Sequence, residues 1–193
     1  TGDDNHAEQL GSGDNNIFSI VQTGNDKYVR ILDFGDNGNK SVNQSGTGLH
    51  NAYLYNNGGG HYNDVTLIQS GSGNKDADIF FYNGDNNELD LTQSGAGAHA
   101  ANIKFYTSNY DVSVTQSGAN NQSYSATFNC SSNCTKTITI TQASGGTDSA
   151  TVTTLINSTV DSAYVQLRQS SVGTGGLDSA LTTQLIDSAY VQL

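Results

Sequence analysis

Seven glutamines recur along this chain at intervals of 22 to 27 residues, and the chemistry that they offer is amide hydrogen bonding. They are Gln22, Gln44, Gln69, Gln93, Gln116, Gln142 and Gln169. A carboxamide has two N–H donors and a carbonyl acceptor, so amides stacked at equal spacing can bond to one another in a ladder. Repetition at a near-constant period predicts an array of one supersecondary unit, with these glutamines forming an inner amide ladder.

A second set of residues with potential chemistry is acidic. Asp64, Glu88 and Asp111 each lie five residues before a repeat glutamine. In stacked strands they would form a column with a spacing of ~4.8 Å, where like charges repel. Such a column would raise its own pKa values, bind a hard cation such as Ca²⁺ through its oxygens, or be relieved by acid. The alternative is that these side chains extend into water and interact little.

The two cysteines, Cys130 and Cys134, lie in Asn-Cys-Ser-Ser-Asn-Cys, between two strand-like runs. In an oxidising compartment this spacing predicts a disulfide across the turn, with free thiols as the alternative. A zinc site would need about four ligands, and the chain has no further cysteine. His50 and His99 are predicted to occupy turns two rungs apart, roughly 10 Å from each other. No metal or other cofactor is predicted.

Catalysis and nucleic-acid binding are not predicted. No Gly-x-Ser-x-Gly motif occurs, and the histidines are expected in turns or near the N-terminus. The net charge is −11 with only seven basic residues, whereas affinity for nucleic acid comes mostly from Lys and Arg. No apolar run approaches the roughly 20 residues that are needed to cross a bilayer, so no transmembrane segment is predicted.

Short strands are the elements that must position the glutamines. Two alternate residues before each glutamine are apolar in six of the seven repeats: Phe18 and Ile20, Val65 and Leu67, Leu89 and Leu91, Val112 and Val114, Ile138 and Ile140, Val165 and Leu167. Period-two alternation places these residues and the glutamine on one face of a strand. Only the second repeat breaks the apolar set, with Lys40 before Val42.

A second strand follows each glutamine, after a turn built from Gly, Asn, Ser and Asp. Its predicted inward residues are Ala52 and Leu54; Ala77, Ile79 and Phe81; Ala101, Ile103 and Phe105; Tyr124, Ala126 and Phe128; Ala150 and Val152. Phe81, Phe105 and Phe128 are therefore expected to stack in three consecutive rungs, as core packing without a binding role.

The predicted fold is all-β, a β-solenoid of about seven strand-turn-strand rungs stacked in register in an amyloid-like, cross-β manner. Residues 1–16 are predicted to be a polar leader, for secretion targeting or as a cap, and residues 17–193 the repeat array. The rungs lie near 17–38, 39–61, 62–87, 88–109, 110–134, 135–158 and 159–187, with a half-rung at 188–193.

The last strand is a candidate growth edge. Its residues are Ala189, Tyr190, Val191, Gln192 and Leu193, and the stretch Asp187–Leu193 repeats Asp161–Leu167. An unpaired strand edge is a template for another chain, so an array that ends in one is expected to add copies of itself. The alternative is a truncated chain.

The repeats resemble the curlin repeat of curli amyloid subunits. The resemblance covers about residues 17–193 and is most specific in Val65–Phe81, which carries Gln69-Ser70-Gly71, Asn74 and Ala77. The turn between the Gly and the Ala is one residue longer than in the family pattern. Ser144 and Ser171 replace the Gly of the last two repeats, and the cysteine pair is foreign to the pattern. The chain is therefore similar to a divergent member.

The resemblance implies a structural subunit, not an enzyme, of an extracellular functional amyloid fibre for biofilm matrix and adhesion. Its main partner would be the protein itself, together with a nucleator subunit and an outer-membrane secretion pore of a bacterium. The absence of Met agrees with a processed, secreted chain. The alternative is a monomeric β-solenoid that binds a surface, as an adhesin or ice-binding domain, through the row Thr137, Thr139 and Thr141.

Overall fold

The computed structural model describes residues 2–58, 62–130, 135–146, 148–156, 162–171, 180–184 and 189–192. These residues form strands and turns, without a helix. The strands are β1 (Asn5–Gly11), β2 (Ile17–Thr23), β3 (Lys27–Asp33), β4 (Asn39–Ser45), β5 (His50–Asn56), β6 (Asp64–Gln69), β7 (Lys75–Phe81), β8 (Asp85–Gly95), β9 (His99–Phe105), β10 (Ser108–Gly118), β11 (Gln122–Cys130), β12 (Thr135–Ser144), β13 (Asp148–Ile156), β14 (Ser162–Ser171), β15 (Ala180–Gln184) and β16 (Ala189–Gln192).

Successive strands alternate between two parallel sheets. The odd-numbered strands form one eight-stranded sheet in the order β1 to β15, and the even-numbered strands form the other in the order β2 to β16. Each strand is hydrogen-bonded to the strand two further along the chain, so the chain coils around one axis. The predicted all-β solenoid is confirmed, and the strand pairs from β2/β3 to β14/β15 roughly match the seven predicted rungs in number.

The core lies between the two sheets because side chains alternate across each strand. In β2 the buried positions are Phe18, Ile20 and Gln22, while the residues between them are exposed. The register places each repeat glutamine beside the next, from Gln22 beside Gln44 to Gln142 beside Gln169. Equivalent inward residues therefore form continuous columns along the axis.

Strand β1 lies within the segment that was predicted to be a polar leader. It pairs with β3 in parallel register, from Asn5 beside Lys27 to Gly11 beside Asp33. Ala7 of this strand packs against the hydrophobic core. Residues 5–11 thus cover one end of the odd-numbered sheet.

The turn after each of the first four glutamines requires glycine. Gly24, Gly46, Gly71 and Gly95 have φ values of 124°, 112°, 115° and 128°, a region that other residues avoid. These glycines also stack closely, because a Cβ added at Gly46 would lie 2.6 Å from the carbonyl oxygen of Gly24. The Gln-x-Gly motif therefore combines an inward amide with a turn that only glycine fits.

No helix in the described part of the chain is both long enough and apolar enough to cross a membrane.

We predict that Gly71→Ala destabilises the fold more than Gly13→Ala. Both glycines have positive φ values, 115° and 92°, so both substitutions strain the backbone. A Cβ at Gly71 would in addition collide with the backbone of Gly46, whereas nothing lies within 4 Å of one at Gly13. The expected difference in unfolding free energy is about 2 kcal/mol, measured by denaturant titration. Equal losses for the two variants would show that the stacking of the turns carries no energy.

Candidate functional site

The repeat glutamines are buried and bond to one another along the axis. Gln22 donates from Nε2 to Gln44 Oε1 at 3.1 Å. Gln93 donates to Gln69 at 2.9 Å, and Gln116 donates to Gln93 at 2.8 Å. Gln142 donates to Gln116 at 2.8 Å. The side chain of Gln169 lies outside the described part of the structure.

The ladder changes direction between Gln44 and Gln69. Gln44 accepts from Gln22 on one side, and Gln69 accepts from Gln93 on the other. Gln69 instead donates across the interior, to the carbonyl oxygens of His50 at 3.0 Å and Asp76 at 3.1 Å. The amide ladder therefore consists of two oppositely directed runs that meet between the second and third rungs.

Several of these glutamines also tie one sheet to the other. The Nε2 atoms of Gln44, Gln93 and Gln116 donate to the backbone carbonyls of Asn51, Ala100 and Ser123, at 3.3, 2.9 and 2.8 Å. The acceptor lies seven residues after the glutamine in each case. The side chain thus spans the turn and fixes where the second strand begins.

A column of basic and polar residues lies inside the same corner, at the first position of five odd-numbered strands. In order along the axis it contains Lys27, His50, Lys75, His99 and Gln122. All five are buried. We call this set the basic column. The prediction that His50 and His99 occupy turns was wrong, because the strands begin at these residues and point them inward.

Carbonyl oxygens of the turns form hydrogen bonds with most side chains of the basic column. Lys75 Nζ donates to the carbonyl oxygen of Gly71 at 2.7 Å and to that of Gly73. His99 Nε2 lies 3.1 Å from the carbonyl oxygen of Ser117. Burial and the charges of Lys27 and Lys75 lower the pKa of His50 to about 4. Burial and Lys27 also lower the pKa of Lys75 to about 8.

The sequence contained a signal for this column. Each member lies two residues before an inward residue of the second strand; Lys75 precedes Ala77 and His99 precedes Ala101 in this way. Extending the period-two alternation by one step would have placed these residues inside. Their charge favoured an assignment to the turn.

The opposite corner changes character along the axis. In the first rungs it holds Asp33 and Asn56, and in later rungs the same column holds Phe81, Phe105 and Phe128. Phe81 and Phe105 stack with ring centroids 4.4 Å apart, and Phe105 and Phe128 with centroids 5.6 Å apart. One end of this corner is therefore polar and the other aromatic.

Lys40 is the residue that interrupted the apolar pattern, and it lies inside the polar corner. Its Nζ atom is 2.7 Å from Asp33 Oδ2, and both side chains are inaccessible to solvent. A buried charge is tolerated when an opposite charge pairs with it. The break in the sequence pattern thus corresponds to a buried ion pair between the first and second rungs.

The acidic residues Asp64, Glu88 and Asp111 share one exposed column on the even-numbered sheet. Desolvation, together with the charges of neighbouring Asp residues including Asp64, raises the pKa of Glu88. No three His, Cys, Asp or Glu side chains of the described residues are placed to share a metal ion, so the calcium candidate gains no support.

The outer face of the odd-numbered sheet carries aromatic rings that the sequence pattern did not single out. Tyr55 and Tyr82 lie 5.3 Å apart between ring centroids, and Tyr82 and Tyr106 lie 5.0 Å apart. Tyr53 lies 5.6 Å from Phe80. These contacts join successive rungs on the outside of the solenoid.

Two predicted features fall partly outside the described residues. Cys134 is not described, and of Cys130 only the backbone is, so the disulfide stays a prediction. The candidate growth edge is described as β16, which pairs with β14 from Ala163 beside Ala189 to Gln166 beside Gln192. Leu193 lies outside the described residues.

Comparison with known proteins gives one match. The family described as the curlin associated repeat matches residues 60–95, which include β6, β7 and β8 with Gln69 and Gln93. No curated protein and no solved structure matches the chain. The matched segment includes much of the most specific part of the predicted resemblance. A relationship to the curlin family is thereby supported through a single repeat.

We predict that Gln93→Ala lowers the unfolding free energy by on the order of 2–4 kcal/mol. The substitution leaves the Oε1 atom of Gln69 without its donor and one N–H of Gln116 Nε2 without its acceptor, at a cost of roughly 1–3 kcal/mol for each buried group. Thr92→Ala, on the outer face of the same strand, is the matched control and should cost under about 1 kcal/mol. Similar denaturation midpoints for both variants would contradict a role for the amide ladder in stability.

We further predict that acid weakens the fold through His50. The pKa of this residue is about 4 when folded and 6.5 when unfolded, so between these values the unfolded state binds the proton more readily. The stabilisation is complete above pH 6.5 and is lost as the pH falls toward 4. His50→Gln removes the titrating imidazole and should make the dependence of stability on pH shallower in this window. Glutamine suits the position because Gln122 already occupies the same column. The unfolding free energy is measured by urea titration at several pH values between 7 and 4.5. If it changes with pH equally in the variant and the parent, His50 is excluded as the responsible group.

Proposed function

We propose that this protein is a structural subunit of an extracellular, curli-like amyloid fibre that grows head to tail by strand addition. The observation that carries the proposal is the polarity of the sheets. All strand pairs of the described residues are parallel in both sheets, and their rungs are in register. A second copy can therefore continue the stack by translation along the axis, without inversion.

The two ends of the described stack are complementary in this arrangement. At one end β1 and β2 are the outermost strands, and at the other β15 and β16 are. Strands β1 and β15 belong to one sheet, and β2 and β16 to the other. A second copy would place its β1 on β15 and its β2 on β16, so that main-chain hydrogen bonds continue across the junction. Such a contact is heterologous and does not close, and it generates a filament.

Side chains in the interior columns also form hydrogen bonds from one rung to its neighbour. Within the chain, a rung satisfies its glutamine and its turn carbonyls partly through a neighbouring rung, as when Lys27 donates to the carbonyl oxygen of Thr47. A terminal rung has a neighbour on one side only. We infer that addition of a copy satisfies these groups at the growing end, which makes assembly favourable and directional.

The cellular setting follows from the family relationship and is part of the same proposal. The curlin repeat supports a fibre subunit that is secreted and assembles at the surface of a bacterium, in biofilm matrix and adhesion. A nucleator subunit and an outer-membrane secretion pore are the partners that this setting requires. A stacked β-solenoid of this kind is not a known enzyme type, and a structural role without catalysis is proposed.

A monomeric surface-binding domain is the alternative outcome of the test. Its candidate surface is the row Thr137, Thr139 and Thr141 on β12. The neighbouring strand β10 places Asp111, Ser113 and Thr115 beside these residues. The array is therefore irregular, and the parallel open stack favours the fibre.

We predict that Val191→Pro in β16 stops fibre elongation. Proline removes a backbone N–H and disfavours continued strand pairing. Val191→Ala keeps the N–H and is the matched control. Fluorescence of an amyloid dye, with preformed parental fibres as seeds, measures elongation. We expect parental rates for the Ala variant and at least a tenfold lower rate for the Pro variant. Deletion of residues 187–193 should give the same loss.

Two results would argue against the proposal at different levels. Parental elongation by both Val191→Pro and the deletion variant would exclude this strand as the docking edge while leaving fibre formation intact. A parent chain that stays monomeric in sedimentation and forms no filaments by electron microscopy would favour the surface-binding alternative.

A further inference from the structure

Three side chains with complementary reactivity meet in the polar corner between the first three rungs. They are the Lys40 amine, the Asp33 carboxylate and the Asn63 carboxamide. Lys40 Nζ lies 2.7 Å from Asp33 Oδ2 and 3.4 Å from Asn63 Oδ1. All three side chains are at most 1 % exposed. A nucleophile, a proton carrier and an acyl group therefore meet at one buried place in the fold.

Neighbouring groups fix the orientation of the carboxamide. Asn63 Oδ1 accepts a hydrogen bond from the backbone N–H of Gly38 at 3.1 Å. Asn63 Nδ2 donates to Asn87 Oδ1 at 3.0 Å, so the oxygen and nitrogen ends have distinct partners. A backbone N–H directed at a carbonyl oxygen stabilises the negative charge that develops there during nucleophilic attack.

The carboxylate is fixed in the same way. Asp33 Oδ1 accepts from Asn16 Nδ2 at 2.8 Å and from the backbone N–H of Gly35 at 3.0 Å. These bonds occupy one oxygen and direct Oδ2 toward Lys40. The close approach also depends on Gly38, because a Cβ there would lie 2.5 Å from Asp33 Oδ2.

We propose that Lys40 and Asn63 form an intramolecular amide bond between their side chains, with Asp33 as the catalytic proton carrier. The Lys40 ammonium first transfers a proton to Asp33 Oδ2, which leaves a neutral amine and a neutral carboxyl group. The amine lone pair then attacks Asn63 Cγ, the Nζ–Cγ bond forms, and the carbonyl electron pair moves to Oδ1.

The second half of the reaction releases ammonia. Asp33 gives its proton to Asn63 Nδ2 and takes one from Nζ. The electron pair on Oδ1 restores the carbonyl, the Cγ–Nδ2 bond breaks, and Nδ2 leaves as NH₃. The product is one secondary amide, one ammonia and a protonated Asp33. No oxidant, metal or further reactant is needed, and the reaction occurs once in each chain.

The surroundings favour this reaction over a stable ion pair. Desolvation lowers the pKa of Lys40, although Asp33 acts in the opposite direction. A buried ion pair can reach neutrality by moving one proton, and the neutral amine is the nucleophilic form. Holding the reacting groups in contact removes the entropic cost of bringing them together. The bond would join β4 to the residue that precedes β6, and so link the second and third rungs covalently.

Mass spectrometry of the purified, folded full-length chain tests the proposal. The expected intact mass is lower than the sequence mass by one ammonia molecule. Trypsin should fail to cleave after Lys40, so that residues 31–75 remain one fragment. Chymotryptic cleavage of this fragment after Tyr53 should leave two pieces joined by a bond between Lys40 and Asn63.

Variants separate the proposed bond from other losses of ammonia. An Asn-Gly sequence such as Asn57-Gly58 can also lose ammonia by forming a cyclic imide, but this product does not join two peptides. Asp33→Asn should fold, as judged by circular dichroism, and retain the full sequence mass. Lys27→Arg, a substitution of another buried lysine, should leave the cross-link intact.

Each remaining outcome overturns the assignment. A folded parent chain with the full sequence mass would show that the three groups form only an ion pair and a hydrogen bond. Loss of one water with a Lys40–Asp33 linkage would show that the carboxylate, not the carboxamide, is the acyl group. If Asp33→Asn does not fold, Lys40→Met provides the comparison, because it removes the nucleophilic amine.

Discussion

In-register stacking of parallel rungs is the constraint on which the rest of this structure depends. Each inward side chain lies beside its equivalents in the neighbouring rungs, about 4.8 Å away. A side chain that packs against or bonds to a copy of itself is therefore favoured at an inward position. Glutamine meets this requirement with a donor and an acceptor on one group, and phenylalanine meets it by ring stacking. The Gln-x-Gly motif and the column of Phe81, Phe105 and Phe128 follow from the same rule.

Buried charged residues repel copies of themselves in adjacent rungs, and their positions show how the solenoid accommodates them. Lys27 and Lys75 alternate with His50 and His99, so no two lysines are neighbours in this column. Turn carbonyls accept the hydrogen bonds of both lysines. Lys40 occurs once in its column and pairs with Asp33 across the corner. The exceptions lie where backbone carbonyls or an opposite charge are available.

The same constraint connects the fold to assembly. Since every contact along the axis joins one rung to the next, the energy that stabilises the chain internally is the energy that would attach a further copy. The relationship to the curlin repeat, seen in the third rung and the start of the fourth, agrees with this use of the architecture. One corner of the solenoid is polar in the first rungs, where it holds Asp33 and Asn56, and aromatic in the later rungs, where it holds Phe81, Phe105 and Phe128. This difference distinguishes the first rungs from the rest.

The sequence by itself determined the repeat, the strand alternation and the inward position of the glutamines, because a period of two within a strand and a nearly constant interval between strands leave few other arrangements. It also predicted the stacking of Phe81 on Phe105. Only the tertiary structure decided how far the alternation extends, and so that His50 and His99 lie inside, since the point where a strand begins depends on bonds across the corner such as those of Gln69. Only the fold could bring Asp33, Lys40 and Asn63 together. Their contacts depend on how the turns of neighbouring rungs stack on one another, and this stacking cannot be predicted from the local sequence of either turn.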